Sequence, residues 1–352
     1  MTKDVKYSNI KGLLIFLVVL GHLLLIVRGG MEPLILLIYS FHMPAFIFLN
    51  GFFAKNVNWK KILNLLLLYI IFQSFYAIIT YLTHYGEIFL FRFTTPIFHL
   101  WYLVSLSCFY VVAILLRKIG EHRVWSLFIV TSILIISVGI RWWSTGFLAE
   151  HPTISSQFLS IQRTFVFFPF FLLGFYFDKA MMKKCSMVLG AFKFKTLFSS
   201  ILIFTILYVL FSNPIRFENA FYGFLPSQTF ASSISQFLKI ELQQYLIALL
   251  LITILVMVID NRESALTKWG DNSLIIFLFH PLFFFTIRMY AADFATWNVF
   301  LKLAFVVSIS IFACSSLVAV RGYIGWLLHP LDTIIKLRQA RQKELIEEKT
   351  SL

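Results

Sequence analysis

Apolar runs of 15 to 22 residues recur along the whole of this 352-residue chain, and little else constrains its fold so tightly. They lie near 12–28, 34–54, 62–82, 97–116, 124–140, 163–177, 197–211, 239–259, 272–290 and 299–320. Helices that are apolar on every face belong in lipid, and about 20 such residues span a bilayer core. The run lengths select the helix, so the fold expected is all-α: an integral membrane bundle of about ten spans. Composition agrees. Charged residues make up 13% of the chain, against about 25% in soluble domains. The runs at 163–177 and 197–211 are short and are expected to extend or tilt. The first has no small-residue cleavage site and reads as a retained helix.

The net charge of +14 does not point to nucleic acid, because the cations are sorted by side. With alternate loops assigned from a cytoplasmic N-terminus, twenty-two of the 30 Lys and Arg fall on that side. This asymmetry is the positive-inside pattern and predicts that both termini are cytoplasmic. No second globular domain is expected. Residues 1–325 read as one transmembrane domain and 326–352 as a charged cytoplasmic tail. The longest outer loops, 141–162 and 212–238, are too short to fold alone, and the second, with Pro214 and Pro226, reads as an irregular cap. Cys108, Cys185 and Cys314 are too far apart for a zinc site or a disulfide framework, and no metal site is expected.

Polar groups inside lipid are costly and mark function by default. Lys11 and His22 both belong to the first helix, eleven residues apart. That is three turns plus roughly 20°, so they share a face about 16 Å apart along the axis. His42, His99 and His280 also fall in or beside apolar runs, and the topology puts all four histidines in the outer half. Arg163 and Arg288 end helices at the same level, so a shared polar cavity is expected there. Carboxylates are missing from the helix centres; Glu241, beside Gln243 and Gln244, comes nearest, at the outer edge of its helix. That argues against a proton- or sodium-coupled carrier. A histidine without a carboxylate to orient it must be held by a backbone carbonyl, hydroxyl or amide. A neutral imidazole suits general-base removal of a hydroxyl proton during acyl transfer, which also needs donors for the oxyanion. Trp101, Tyr102, Asn50 and Arg163 are candidate donors, although Trp101 and Tyr102 also fit an ordinary interfacial aromatic belt. Pro44 and Pro281, each beside a histidine, are expected to bend their helices and free carbonyls.

These residues carry a resemblance. The chain resembles the membrane acyltransferase family 3 proteins, and among them the fucose 4-O-acetylase-like group. Lys11 and His22 match the family's cation and histidine with ten residues between. Phe41-His-Met-Pro-x-Phe-x-Phe-x-x-Gly51-Phe, His99-Leu-Trp101-Tyr102, Arg163 ahead of Phe-Phe-Pro-Phe-Phe-Leu-Leu-Gly174, and Leu278-Phe-His280 follow in the family's order. Ser8 stands where many relatives carry an acid, and Asn50 where many have Ser. The resemblance implies transfer of a short acyl group, commonly acetyl, from cytoplasmic acyl-CoA to a hydroxyl of a cell-envelope carbohydrate, such as an exopolysaccharide, a teichoic acid or a lipid-linked glycan. No bound cofactor is implied; acyl-CoA is a cosubstrate. It gives His22 the base role and Lys11 an orienting or donor-binding role. His42, Asn50, His99, Trp101, Tyr102, Arg163 and His280 then line the acceptor or oxyanion region. The implied setting is a bacterial plasma membrane, with membrane lipids and a polysaccharide assembly system as neighbours. The rival reading is an exporter or flippase for a glycan or glycolipid, which would move its substrate without esterifying it.

Overall fold

In the computed structural model the described residues are 5–83, 92–119, 123–150, 155–178 and 195–333, with scattered positions in 180–187 and 335–339. Most of the 178–196 loop, Cys185, His84, His122, His151 and nearly all of the tail beyond 333 lie outside them. The described elements are helices: α1 Val5–Ile26, α2 Glu32–Phe53, α3 Trp59–Leu82, α4 Trp101–Ile119, α5 Arg123–Glu150, α6 Ile161–Tyr176, α7 Lys195–Phe211, α8 Pro214–Tyr222, α9 Ile234–Val258, α10 Ala265–Asp271, α11 Ser273–Phe279, α12 Pro281–Arg288 and α13 Val299–Ala319. Among the described residues, eight helices are long and apolar enough to cross a membrane, or up to ten if each of two bent pairs is one span. The bent pairs are α7 with α8, at 100°, and α10 with the α11–α12 segment, at 73°.

Several boundaries differ from the sequence expectation, each for a polar reason. Helix α1 starts at Val5, about two turns before the apolar run, because its first turns are paired. Asn9 donates to the carbonyls of Asp260 and Arg262, and its side-chain oxygen accepts from Thr267 Oγ1. Ser8 donates to Asp271 at 2.7 Å. Helix α5 runs ten residues past the expected end at 140, carrying Arg141 as a buried helical residue rather than the start of a loop. Arg141 pairs with Glu241 and also donates to Gln244 and to the Ala220 carbonyl. Glu241 is the eighth residue of α9 and is buried. A carboxylate therefore does lie inside the bundle, matched to a cation one hundred residues away. The 212–238 segment is not an irregular cap throughout: α8 occupies its first part, and the side chain of Ser233 caps α9.

Two helix crossings bring backbones into contact. A Cβ on Gly51 of α2 would lie 2.1 Å from the Phe171 carbonyl oxygen of α6, and one on Gly174 of α6 would lie 1.9 Å from that of Phe48. A Cβ on Gly12 of α1 would lie 2.0 Å from the Leu266 carbonyl oxygen of α10, and one on Gly270 would lie 1.8 Å from that of Ser8. Small residues are how membrane helices approach closely without a hydrophobic driving force between them. The first crossing ties together α2, which carries His42 and Asn50, and α6, which carries Arg163. At the Lys11 end of the bundle, Lys55 donates to the Phe177 carbonyl and Arg117 to that of Lys55. The start of α1, the end of α2 and the ends of α4 and α6 thus gather at one end.

Candidate active site

At the other end of the bundle is a cavity of about 530 Å³, within the usual range for ligand pockets. His22, His42, Trp101 and Arg163 all line it.

Pro281 organises what lies behind His22. Proline has no N–H, so it leaves the carbonyl four residues earlier, that of Phe277, without its helical donor. His280 takes up that carbonyl itself: its Nδ1 lies 2.8 Å from the Phe277 oxygen and 3.0 Å from the Ile276 oxygen. Two carbonyl acceptors require Nδ1 to carry the proton, which leaves Nε2 of the neutral ring as an acceptor. Nε2 sits 2.9 Å from His22 Nδ1. The proton in that contact therefore belongs to His22 Nδ1, and the lone pair of His22 is on Nε2. Tyr76 donates at 2.6 Å to the Leu278 carbonyl, the next one along the break. In α2 the same reasoning applies to His42, whose Nδ1 donates to the Ile38 carbonyl at 2.6 Å and leaves Nε2 as its acceptor.

The walls are fixed by two loops. Gln73, buried midway along α3, donates to the carbonyls of Arg92 and Thr95 and accepts from the Ile97 amide. Tyr69 holds the Phe93 carbonyl at 2.6 Å. Phe98 has a φ of 49°, stacks on Phe284 at 4.5 Å and meets the His22 ring at a tilt at the same distance. Leu159 and Ser160 also have positive φ, and the Leu159 amide donates to the Thr94 carbonyl, joining the two loops. A non-glycine residue in this region is strained and persists where its surroundings hold it, most often at functional sites. Arg163 follows on α6. Its Nε donates to the Tyr222 carbonyl at 3.1 Å, and its guanidinium lies between the rings of Trp101 (4.8 Å) and Phe224 (4.4 Å).

A second cavity, of about 200 Å³, lies toward the Lys11 end. Lys11, Lys61, Asn50, Tyr102 and Tyr110 line it. Asn50 donates to Tyr102 Oη and accepts from Tyr110 Oη. Lys11 lies 4.5 Å over the Phe53 ring and Lys61 4.9 Å over that of Tyr110. Met43 lines both cavities.

A family model described as an acyltransferase domain matches residues 5–320. The chain belongs to acyltransferase family 3. It is also similar to the nodulation protein NolL of Sinorhizobium fredii (strain NBRC 101917 / NGR234), 41% identical over 60 residues. That match covers 15% of this chain and 16% of the relative. No solved structure matches the chain.

The structure divides the sequence candidates among three places. His22, His42, Trp101 and Arg163 share the larger cavity, whereas Lys11, Asn50 and Tyr102 line the smaller one. His99 and His280 line neither. His280 backs His22, and His99 is sealed among rings, 5.2 Å from His280, 4.8 Å from Phe277 and 5.3 Å from Tyr76. Asn50 and Tyr102 therefore do not join Trp101 and Arg163 as donors in one place. Arg288 is exposed and outside the cavity; Arg92 lines it instead. Trp101 and Tyr102 are buried, so they are not an interfacial belt. The orienting group behind His22 is a second histidine, and the backbone carbonyls act one step further back. Sequence reasoning passed over Gln73, although an amide inside an apolar run was a usable signal. Tyr39 and Tyr222, which meet edge to face at 5.5 Å and also line the cavity, carried no signal among so many aromatic residues.

Proposed function

We propose that this multi-pass membrane O-acyltransferase moves a short acyl group, acetyl in the simplest case, from acyl-CoA to a hydroxyl of a cell-envelope carbohydrate. The observation that carries this reading is that Met43 lines both cavities. Lys11 and Lys61 give the smaller cavity a cationic rim suited to a phosphorylated donor, and the larger one presents His22. The positive-inside pattern favours the Lys11 end as cytoplasmic, the side on which acyl-CoA is found. A thiol arm extending past Met43 has about 16 Å of helix to cover between Lys11 and His22.

In this reading His22 Nε2 accepts the proton of the acceptor hydroxyl while that oxygen forms a bond to the thioester carbonyl carbon. The carbonyl oxygen becomes an oxyanion, stabilised by the Arg163 guanidinium. The C–S bond then breaks, the thiolate takes the proton from the His22 imidazolium, and the ester and free thiol leave. His280 holds His22 in the tautomer that this requires. His42 and Trp101 line the acceptor side.

The test is mass spectrometry of alkali-labile acyl groups on surface glycans from cells carrying the wild type, no protein or His22→Ala. An ester present with the wild type alone supports the reading, and its mass identifies the acyl group. An unchanged ester pattern with less surface polymer in the absence of the protein would replace it with an exporter.

A further inference from the structure

The larger cavity carries an excess of cation. Arg92 and Arg163 line it beside the neutral rings of His22 and His42, and among the described residues no Asp or Glu does. The Arg163 guanidinium is held by two rings and by Nε alone, and among the described residues no acceptor takes its terminal nitrogens. The nearby carboxylate, Glu218, is already committed. One of its oxygens takes Arg28, and the other accepts from Tyr222 Oη at 2.6 Å. That arrangement fixes Tyr222, whose carbonyl in turn fixes Arg163. Arg92 lines the same cavity and is exposed, with its backbone carbonyl clamped by Gln73 at 2.7 Å. Two arginines on separate elements, one anchored through its backbone and the other through Nε, thus line one space with Tyr39, Phe98 and Trp101.

Guanidinium forks match the planar or tripod oxygens of carboxylate and phosphate. A cation away from bulk water and without a counter-ion gains most from a ligand that brings one. A transient oxyanion at His22 accounts for Arg163 and gives no reason for Arg92. We infer that the acceptor is an anionic saccharide, carrying a phosphate or carboxylate held between Arg92 and Arg163 while a neighbouring hydroxyl reaches His22. This rests on the acyl-transfer reading above and adds the acceptor's charge to it.

The experiment uses the full-length protein in nanodiscs with acetyl-CoA and three acceptors of equal length: a neutral hexose oligosaccharide, a uronic acid oligosaccharide and a phosphate-bearing one. Turnover is read by mass spectrometry, and binding without donor is read by thermal shift. The expected result is kcat/KM roughly tenfold or more higher for one anionic acceptor, about the worth of one charge-assisted contact, falling with added salt. The better of the two anionic arms identifies carboxylate or phosphate as the group held. Arg92→Gln should raise KM for that acceptor and narrow its advantage over the neutral one. Equal use of the neutral acceptor, or an Arg92→Gln variant that treats all three as the wild type does, overturns the proposal. If nothing is acylated, the acyl-transfer reading fails, and the thermal shifts still decide between anionic and neutral binding.

Discussion

The Nδ1–H of His22 points at the Nε2 of His280, 2.9 Å away, and the direction of that proton is set by two carbonyls on the far side of His280. Replacing His280 by Ala removes the acceptor and frees the His22 ring to rotate or change tautomer. We expect kcat to fall by about 10²–10⁴ with acceptor KM little changed, the scale seen when a catalytic imidazole loses its orienting partner. His280→Gln keeps a carbonyl acceptor at that position and should recover part of the loss. Steady-state kinetics on both variants checks this, and an unimpaired His280→Ala enzyme would remove the relay from the mechanism.

Pro281 acts on the same proton from a distance. Pro281→Ala restores an N–H able to bond the Phe277 carbonyl, which then competes with His280 Nδ1. The variant should be at least as thermostable as the wild type, since a helix-breaking residue has gone, and yet several-fold slower. Paired melting and turnover measurements test it; a slower enzyme with a lower melting temperature would instead indicate a packing defect.

Gln73 anchors the loop that forms one wall of the larger cavity through three hydrogen bonds. Gln73→Leu strands two carbonyls and an amide, at roughly 1–3 kcal/mol for each group left without water. The loss should show as a raised acceptor KM with the acyl-CoA KM unchanged. Equal effects on both would mean the two cavities do not divide the substrates as described.

Arg141 and Glu241 are buried together outside the cavities. Arg141→Met leaves a carboxylate buried without its cation and should destabilise by about 3–5 kcal/mol, whereas Arg141→Met with Glu241→Leu should regain much of it. Thermal unfolding of the single and double variants in detergent separates the cases, and a double variant no better than the single one would show that the pair does more than neutralise itself.

This pair also shows where sequence reading stops. The spans could be read because hydrophobicity is local, and Lys11 and His22 could be placed on one face because helical phase is local too. Arg141 reads as the first residue of a loop because an unpaired arginine does end a span; its partner lies on another helix, and nothing near position 141 indicates it. Trp101 and Tyr102 fail for a related reason. Adjacent helical side chains point about 100° apart, so the two face different cavities, and only the neighbouring helices decide which. The break at Pro281 beside His280 was legible, whereas α2 runs on through Pro44, and the hydrogen-bond chain running from Phe277 to His22 depends on the approach of α1 to α11 and α12.

Gly51 and Gly174 admit no side chain at the crossing of α2 and α6. Ala at either position should destabilise the protein by about 1–3 kcal/mol, whereas Gly322→Ala, with open space around it, should be neutral. Loss of detergent-stable protein on mild heating measures this, and tolerance of Gly51→Ala would mean the helices can part.

The contact also bears on movement. Carriers that expose a site alternately to two compartments rock one group of helices against another. Here the helix bearing His42 and Met43 meets the helix bearing Arg163 main chain to main chain, with no compressible layer between. A joint of that kind resists sliding. In the reading proposed above, rotation of the Met43 side chain, which lines both chambers, would open one to the other without any sliding of α2 on α6.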